Sequence, residues 1–340
     1  MDRKQHRLLR NIVVYGLGIS IISFIIYKIG IFEVCAVLAS ANVGIYLFAV
    51  FIYLVTLYVL SMRWNYLLKL NGYSAGSKNL LLLITMGQFI NNVTPSMKGG
   101  SEPFRAYYLS KLEQIPYHVS FSAVIIERIL DSVIFLIFSF FVIIYFALKG
   151  VVYTEAFAIA WFLVMALTIS IVYIAMHKKW AFKITLQIAK VVTKFSSKTL
   201  NEQKIKDTIN KFQKTMIFFK GNRKGMITAL LISSAWWLLD IFRIYVLFIA
   251  ISTNVAFISV ASTYLVALLV GILPTLPGGL GTSDTAMIAM YSFFNIPYSN
   301  AAAGTLLDRS ISYIGVTIIG SIAFKIIKKK SKENSYEVES

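Results

Sequence analysis

Apolar residues form long runs along this chain, and short polar segments separate one run from the next. The runs occupy Asn11–Ile31, Val43–Met62, Val133–Leu148, Ala156–Met176, Met226–Ile251, Val255–Leu273 and Ala301–Ile327. A helix needs about 20 predominantly apolar residues to cross a bilayer. Lipid offers no hydrogen-bond partner to the open edge of a sheet, so these runs favour helices over strands. The pattern therefore predicts an all-α, polytopic helical membrane protein.

Composition supports this interpretation and excludes several kinds of site. Hydrophobic residues make up 58% of the chain and charged residues 14%, whereas a soluble domain carries about 25% charged residues. Cys35 is the single cysteine, so an internal disulfide or a cysteine-based metal site is excluded. The histidines, His6, His118 and His177, are far apart in the sequence. We therefore expect neither a metal site nor a cofactor.

Positive charge is concentrated in a few polar segments of the chain. The net charge is +18, and residues 177–224 alone hold 13 lysines and arginines. Such clustering favours the positive-inside rule over nucleic-acid binding. We expect a multi-pass cell-membrane protein with cytoplasmic N- and C-termini. It is interpreted as one membrane domain: a first half (1–176), a basic amphipathic linker (177–224), a second half (225–328) and a cytoplasmic tail (329–340).

Counting the crossings leaves two segments that begin and end on the same side. With Arg63, Lys69 and Lys78 taken as cytoplasmic, Asn79–Tyr117 starts and finishes inside, and Asn254–Asn300 starts and finishes outside. The count predicts about seven full spans plus two broken, re-entrant hairpins that enter from opposite faces. That arrangement indicates an inverted repeat, which transporters use to build a site near the membrane midplane.

The basic linker contains one amphipathic helix. Its apolar positions follow helical spacing and are Ile205, Ile209, Phe212, Met216 and Phe219. Lysines surround this face, among them Lys204, Lys206, Lys211 and Lys214. Two interpretations stay open. The helix lies on the anionic inner leaflet, where these lysines contact lipid, or its apolar face packs on the protein itself.

Each predicted hairpin contains a break rich in proline and glycine. The first covers residues 91–105, where Ser101 is a candidate N-cap and Pro103 falls in the first turn of the next helix. The second covers residues 274–284 and also ends at a candidate helix start. Glycine lets backbone approach a ligand closely, and a helix N-terminus attracts anions. The alternative is an ordinary surface loop at each break.

Charged residues also lie inside apolar helices. Glu127, Arg128 and Asp131 fall close together on one helix, Asp240 and Arg243 on another, and Asp308-Arg309 on the last. A charge near the bilayer centre costs on the order of 3 kcal/mol or more and normally marks a site or pathway. Structural ion pairs between helices are the other interpretation, which we prefer for Asp240 and Arg243.

Taken together, these motifs resemble the membrane domain of lysylphosphatidylglycerol synthases, which also occurs as stand-alone flippase-like proteins of the UPF0104 type. The resemblance covers about residues 8–328 and rests on four motifs. The matching residues are Asn92, Pro95, Gly100, Glu102 and Arg105; Glu127, Arg128 and Asp131; Pro274, Pro277, Gly278, Gly279, Gly281 and Asp284; and Arg309. Ser101 separates Gly100 from Glu102, where the family more often has them adjacent. Asp284 stands where glutamate is more common.

The resemblance implies translocation of a phospholipid or a lipid-linked headgroup between leaflets. The substrate would be bound by these residues other than Pro274, with Arg105, Arg128 and Arg309 on phosphate. The acids Glu102, Glu127, Asp131 and Asp284 would hold those arginines or contact a cationic or hydroxylated headgroup. Bacterial synthases add a cytosolic acyltransferase-like domain, which we expect to be missing here, so no synthesis is expected.

Two other functions stay open at this point. One is a membrane transferase acting on a lipid-linked substrate, related to phosphatidylglycerol lysyltransferase. The other is a non-transporting subunit of an envelope-synthesis complex, and a homo-oligomer also stays open. No nucleotide-binding or serine-hydrolase motif is present in the sequence.

Overall fold

The protein is a bundle of helices, seen in a computed structural model that describes residues 27, 30–94, 100–151, 154–193, 202–272 and 277–337. Within these ranges no residue forms a β-strand. The helices are α1 Ile31–Ala39, α2 Val43–Leu70, α3 Ser77–Val93, α4 Glu102–Glu113, α5 Tyr117–Leu148, α6 Thr154–Met176, α7 Lys178–Thr193, α8 Glu202–Gly221, α9 Arg223–Ala250, α10 Phe257–Ile272, α11 Thr282–Phe293, α12 Tyr298–Arg309 and α13 Val316–Glu337. The all-α prediction is confirmed.

Five of the described helical stretches are long and apolar enough to cross a membrane. They are α2, α5, α6, α9 and the continuous stretch Tyr298–Glu333, in which a π-helical turn, Ser310–Gly315, joins α12 to α13. The predicted polytopic helical architecture is thus confirmed. The first predicted crossing, Asn11–Ile31, lies almost entirely outside the described residues.

The two predicted hairpins are pairs of short helices. Helices α3 and α4 have 17 and 12 residues, and α10 and α11 have 16 and 12. A 12-residue helix is about 18 Å long, which is well short of the hydrocarbon thickness of about 30 Å. Residues 95–99 and 273–276, between the paired helices, are outside the described ranges. The 12-residue helix of each pair is thus too short to span the bilayer, as expected for the predicted re-entrant hairpins.

The second half of the chain repeats the helix order of the first. Helices α9, α10 and α11 begin 180 residues after α2, α3 and α4, and α12 begins 181 residues after α5, at residues 223, 257, 282 and 298 against 43, 77, 102 and 117. Local details repeat as well. Asn42 and Asn222 both cap the long first helix of their half through a side-chain oxygen. The sequence Ile-Pro-Tyr precedes or begins both fourth helices, at 115–117 and 296–298.

Contacts between α2 and α9 show that the repeat is inverted. At one end of the pair, the Asn42 N–H donates to the Ala250 carbonyl oxygen over 2.7 Å. At the other end, Gly225 packs closely against the Leu70 side chain. The start of each helix therefore meets the end of the other, and the two helices run antiparallel. Equivalent elements of the two halves consequently point in opposite directions across the membrane.

Each hairpin packs into a separate hydrophobic core. One core joins α2, α3 and α13 with the first half of α5, around Trp64, Leu67 and Leu80. The other joins α9 and α10–α12 with the second half of α5, around Phe146 and Phe248. Because α5 and α9 contribute to both cores, they connect the two halves of the bundle.

The amphipathic linker helix, α8, packs on the protein. Its apolar residues Ile209, Met216 and Phe219 are buried, the last two within the core of the first half. This matches the second of the two interpretations given above for its apolar face. Lys206, Lys211 and Lys214 remain exposed on the other face, while the side chain of Lys204 is not described. Contact of these lysines with an anionic leaflet stays a prediction.

Helix α13 packs closely on α3 at Gly320, and this packing can be tested by adding a methyl group there. A Cβ added at Gly320 would lie 2.5 Å from the Thr85 carbonyl oxygen and 2.5 Å from the Phe89 Cβ. Overpacking of this kind costs about 1–3 kcal/mol, so Gly320→Ala should lower the unfolding temperature of the purified protein in detergent. Gly221→Ala is the control, because nothing lies within 4 Å of a Cβ there. Equal unfolding temperatures for the two variants would contradict the close packing of α3 on α13.

Candidate functional site

A cavity of about 150 Å³ lies at the centre of the bundle, between the two breaks. Residues of both halves line it, and four of them are arginines: Arg105, Arg128, Arg243 and Arg309. Ser101 and Ser283, at the N-terminal ends of α4 and α11, also line it. Both short helices therefore direct the positive ends of their dipoles toward the same space, which favours an anion.

A buried ion network lies beside the cavity in the first half. Arg63 of α2 donates to Asp131 over 2.6 Å, to Glu127 over 3.3 Å and to Ser233 of α9 over 3.0 Å. The second Glu127 oxygen accepts from Arg105 of α4 over 2.8 Å. Arg63 and Glu127 are both fully buried. One arginine therefore ties α2 to α5 and α9, and Glu127 ties α4 to the same cluster.

Arg128 is held much more loosely than its neighbours. Its side chain is 36% exposed, its Nε lies 3.6 Å from Glu102 and its Nη2 lies 3.3 Å from Asp131. Neither oxygen of the buried Glu102 carboxylate accepts a hydrogen bond within the described residues. A buried carboxylate without hydrogen bonds is unfavourable. Arg128 and Glu102 thus form the least satisfied pair of the site.

The second half contains a matching network. Arg243 of α9 donates to Asp240 over 3.0 Å and to Asp308 of α12 over 2.6 Å. The Tyr264 hydroxyl of α10 donates to the other Asp240 oxygen over 2.6 Å. The Arg243 guanidinium also lies 5.2 Å from the centre of the Tyr53 ring. This arginine ties α9 to α12, as Arg63 ties α2 to α5.

Arg309 is bound tightly at the N-terminus of α11. It donates to the Asp284 carboxylate and to the Ser283 hydroxyl. The other Asp284 oxygen accepts the Gly281 N–H over 2.8 Å, which caps α11. A π-helical turn follows Arg309 directly, and such turns are frequent at functional sites. The predicted helix cap of the second break is therefore made by Asp284.

The first break is tied to the last helix across the cavity. The Asn92 amide donates to the Thr317 hydroxyl over 3.0 Å, and the Tyr313 hydroxyl donates to the Asn92 carbonyl oxygen over 3.1 Å. Gly278 has a positive φ of 60°, and a Cβ there would collide with the Tyr313 ring. Tyr313 therefore contacts both breaks, and glycine is required at position 278.

Internal symmetry relates these groups residue by residue. Arg63 and Arg243 occupy the same place in α2 and α9, 180 positions apart, and Glu127-Arg128 corresponds to Asp308-Arg309, 181 positions apart. In each half the acid of that pair is bound by the buried arginine of the long helix. The arginine of the pair reaches instead toward a carboxylate in the first turn of the short helix. We call each of these two contacts a clamp: Arg128–Glu102 in the first half and Arg309–Asp284 in the second.

The structure places the residues singled out in the sequence in three positions. Asn92, Arg105, Arg128, Gly278 and Arg309 line the cavity. The carboxylates of the two clamps and of the first network contact arginines that line the cavity; they belong to Glu102, Asp284, Glu127 and Asp131. Gly279 and Gly281 are buried and have positive φ values of 70° and 81°, and Gly100 is half-buried. Pro95 and Pro274 lie outside the described residues, and Pro277 is described in its backbone alone.

Two sequence-based assignments are corrected by the structure. Arg63, counted among the cytoplasmic loop charges, is fully buried inside α2. The position was misjudged because α2 continues eight residues past the apolar run that ends at Met62. Ser101 stands at the N-cap position of α4, but its side chain makes no capping hydrogen bond.

Other lining residues carried no signal in the sequence. They are polar or aromatic groups in ordinary helical contexts: Tyr53, Gln88, Asn91, Trp236, Tyr264 and Ser312. The internal repeat could have pointed to Arg63, because Arg243 is its counterpart. The others required the three-dimensional arrangement.

Comparison with known proteins decides the family. The family model described as "Lysylphosphatidylglycerol synthase TM region" matches residues 11–320. The chain belongs to this family. Family members similar to it include a UPF0104 membrane protein of Methanocaldococcus jannaschii, which is 44% identical over 304 residues that cover 89% of this chain and 90% of the relative. A UPF0104 membrane protein of Methanothermobacter thermautotrophicus is 29% identical and covers 92% of this chain and 94% of the relative.

A more distant similarity involves a longer protein. Glycosyltransferase AglD of Haloferax volcanii is 24% identical over 343 residues, which cover 92% of this chain and 54% of that protein. The matched region is therefore about half of the glycosyltransferase. Family membership and a membrane location are confirmed by these matches. The ligand contacts of the individual site residues stay predictions.

The two kinds of arginine in this family member predict different effects on stability. Arg63→Ala would leave Glu127 and Asp131 buried without their main counter-charge, and breaking such a pair costs about 3–5 kcal/mol. Arg128→Ala removes a partly exposed, loosely held group and should change stability by less. The measurement is the unfolding midpoint of each purified variant in detergent. A larger loss of stability for Arg128→Ala would mean that the buried network does not hold the bundle together.

Proposed function

We propose that this protein moves a phospholipid, or a lipid-linked headgroup, between the two leaflets of the cell membrane. The observation that carries the proposal is the central cavity, where four arginines and two helix N-termini from oppositely oriented halves meet. A phosphate group matches the charge and the planar donor fork of arginine. Transporters built from inverted repeats with broken helices place their sites in the same position.

The two clamps supply a mechanism for binding and release. Arg128 lies 3.6 Å from the Glu102 carboxylate, which accepts no hydrogen bond from the described residues, so only a long contact is broken when Arg128 turns to a phosphate in the cavity. Arg309 donates to Asp284 and Ser283, so its donors are occupied by protein groups in this structure. In the state that is accessible from the other leaflet, we expect Arg309 to release Asp284 and Arg128 to bind Glu102 closely. Since the halves are inverted, this exchange would move access from one leaflet to the other.

The buried networks would keep the frame rigid while the clamps exchange. Arg63 of α2 binds two acids of α5 and a serine of α9, Arg243 of α9 binds one acid of its own helix and one of α12, and both arginines are almost fully buried. The arginine that follows each buried acid is less buried than the arginines of the networks, and in the proposed cycle it is the group that changes partners. Glu127, Asp131, Asp240 and Asp308 are therefore assigned to the frame, and Arg128 and Arg309 to the substrate.

The comparisons support a lipid-related substrate at a coarse level. The family description names a phospholipid synthase, and one distant relative is named a glycosyltransferase. That second name also favours an alternative function, a membrane transferase acting on a lipid-linked sugar. Formation of a new lipid product by the purified protein would support the alternative.

Replacement of a clamp arginine should stop transport without unfolding the protein. In liposomes, Arg128→Ala and Arg309→Ala should each lower the rate at which labelled phospholipid becomes accessible in the opposite leaflet by tenfold or more, the scale of one lost charge-assisted contact of about 1.4 kcal/mol or more. Arg223→Ala is the matched control, because Arg223 is exposed at the start of α9. If wild type moves several headgroup types no faster than protein-free vesicles do, the proposal is wrong.

The proposed orientation can be tested by cysteine labelling. In a Cys35→Ser background, Ser74→Cys before α3 should react with an impermeant maleimide from the cytoplasmic side. Asn254→Cys before α10 should react from the outside, because α10 is the inverted counterpart of α3. Labelling of both positions from the same side of sealed vesicles would contradict the inverted insertion of the two halves.

A further inference from the structure

We propose that the lipid bound in the central cavity carries hydroxyl groups, as a polyol or a sugar attached through its phosphate, and that Gln88 and Asn91 select these hydroxyls. The inference rests on the function proposed above and names the class of its substrate. The observations that carry it are the positions at which the two halves of the cavity differ.

The two hairpins present equivalent positions to the cavity. Three residues of α3 line it together with their counterparts in α10, which stand 180 positions later: Ile84, Gly87 and Gln88, and Tyr264, Ala267 and Leu268. Because the same positions of both hairpins line the cavity, a difference between paired residues is a difference between its two walls. Gln88 supplies an amide where Leu268 supplies an alkyl group.

Two further positions differ in the same direction. Asn91 lines the cavity, and its counterpart 180 positions later is Gly271. Arg105 and Met287 both line it, each three residues after the clamp carboxylate of its half. The ring of Trp236 adds to the lining from α9. We name these two sets the polar wall and the apolar wall: Gln88, Asn91 and Arg105, and Trp236, Leu268 and Met287.

Unused hydrogen-bonding capacity is found on the polar wall. Within the described ranges, the Gln88 side chain makes no hydrogen bond with protein. The Asn91 side-chain oxygen accepts the Ser101 N–H over 3.2 Å, which leaves the Asn91 NH2 group available to a ligand. The charged lining residues of the second half all bind protein groups: Asp240, Arg243, Asp308 and Arg309.

Glu102 adds an acceptor next to the polar wall. It follows the lining residue Ser101 directly, it is buried, and neither of its carboxylate oxygens accepts a hydrogen bond from the described residues. The lining residue Arg128 lies 3.6 Å from it. In the proposed cycle Arg128 leaves Glu102 for the phosphate, and a hydroxyl attached beyond the phosphate can then donate to Glu102.

Hydroxyl groups match this set of partners better than an ammonium group does. A hydroxyl both donates and accepts, whereas an ammonium group donates only. The Asn91 NH2 group needs an acceptor, the Glu102 carboxylate needs a donor, and the Gln88 amide needs both. An ammonium group would leave the Asn91 donor unpaired, and a trimethylammonium group would form a hydrogen bond with none of the three.

The apolar wall suits the carbon skeleton of the same headgroup. A polyol or sugar carries C–H groups between its hydroxyls, and these can pack on Trp236, Leu268 and Met287 while the hydroxyls bind the polar wall. Ligand sites generally combine apolar surface with a few polar groups that fix the orientation of the ligand. The two walls would therefore orient the headgroup as well as bind it.

The first test compares two lipids of equal charge and similar size in proteoliposomes. Phosphatidylglycerol carries two headgroup hydroxyls, and phosphatidylpropanol carries none. With the label on an acyl chain, wild type should move phosphatidylglycerol about tenfold faster or more, since a site that binds a hydroxyl leaves its own polar groups unpaired with the analogue. Gln88→Leu, which copies the residue of the other half, should bring the ratio of the two rates close to one. Gln187→Leu, at an exposed position on α7, should leave the ratio unchanged.

A second pair of lipids distinguishes the source of the headgroup. Polyprenyl phosphate-linked glucose is compared with a polyprenyl propyl phosphate, which has no hydroxyl. A preference within the first pair assigns a glycerophospholipid, and a preference within the second pair assigns a lipid-linked sugar. Movement without preference within either pair, or faster movement of phosphatidylethanolamine than of every hydroxylated lipid, would overturn the proposal while the proposed function stands.

Binding supplies a readout that does not depend on transport. A ligand that binds the folded state raises the unfolding temperature. In detergent, short-chain phosphatidylglycerol or the lipid-linked glucose should raise this temperature for wild type more than its hydroxyl-free partner does, and Gln88→Leu should lose the difference. If the difference is found but no lipid moves, the proposed function is wrong and the headgroup assignment stands. If neither pair differs in binding, the headgroup assignment is wrong.

Discussion

The exclusion of water from the bilayer interior is the constraint on which the rest of this structure depends. A guanidinium group placed there requires carboxylate partners. Arg63 binds Glu127 and Asp131 of α5, and Arg243 binds Asp308 of α12 together with Asp240 of its own helix. Because each arginine has at least one acidic partner on another helix, the same bonds that solvate its charge also fix the positions of the helices. The burial of charge and the packing of the helices therefore depend on the same contacts in this protein.

The exposed fraction of each arginine side chain determines how readily it can change its partners. Arg63 and Arg243 are almost fully buried, whereas Arg128 is about one-third exposed and its contacts with Glu102 and Asp131 are long, at 3.6 and 3.3 Å. The cavity is lined by two almost fully buried arginines, Arg105 and Arg243, and by the two clamp arginines, Arg128 and Arg309. Each half of the repeat contributes one arginine of each kind.

Hydropathy and helix-breaking residues were enough to predict a helical membrane bundle and the two short-helix pairs, and the breaks together with the charged motifs pointed to the family. These features depend on local composition, since lipid leaves helices as the available structure and proline with glycine interrupts them. Arg63 was misplaced because its neighbours Met62 and Trp64 resemble the end of a span followed by a loop. Its partners, Glu127 and Asp131, lie more than 60 residues away, and no local pattern connects them.

The site was predictable only in part for the same reason. Arg128 and Arg309 stood out because each follows an acid within an apolar helix. Gln88, Trp236 and Tyr264 line the cavity through helix positions that carry no special signal. Whether such a residue faces the cavity depends on how the two halves pack against each other. This packing is visible only in the three-dimensional structure.

The helix between the two halves, Thr154–Met176, has no buried residue. It is thus the described span that contributes least to the packing of the bundle. Each repeat crosses the membrane an even number of times, so two copies joined directly would insert in the same direction. One added crossing changes that parity and turns the second copy over. This lipid-facing helix can therefore tolerate wide changes in sequence, whereas the number of crossings it makes cannot change without destroying the site.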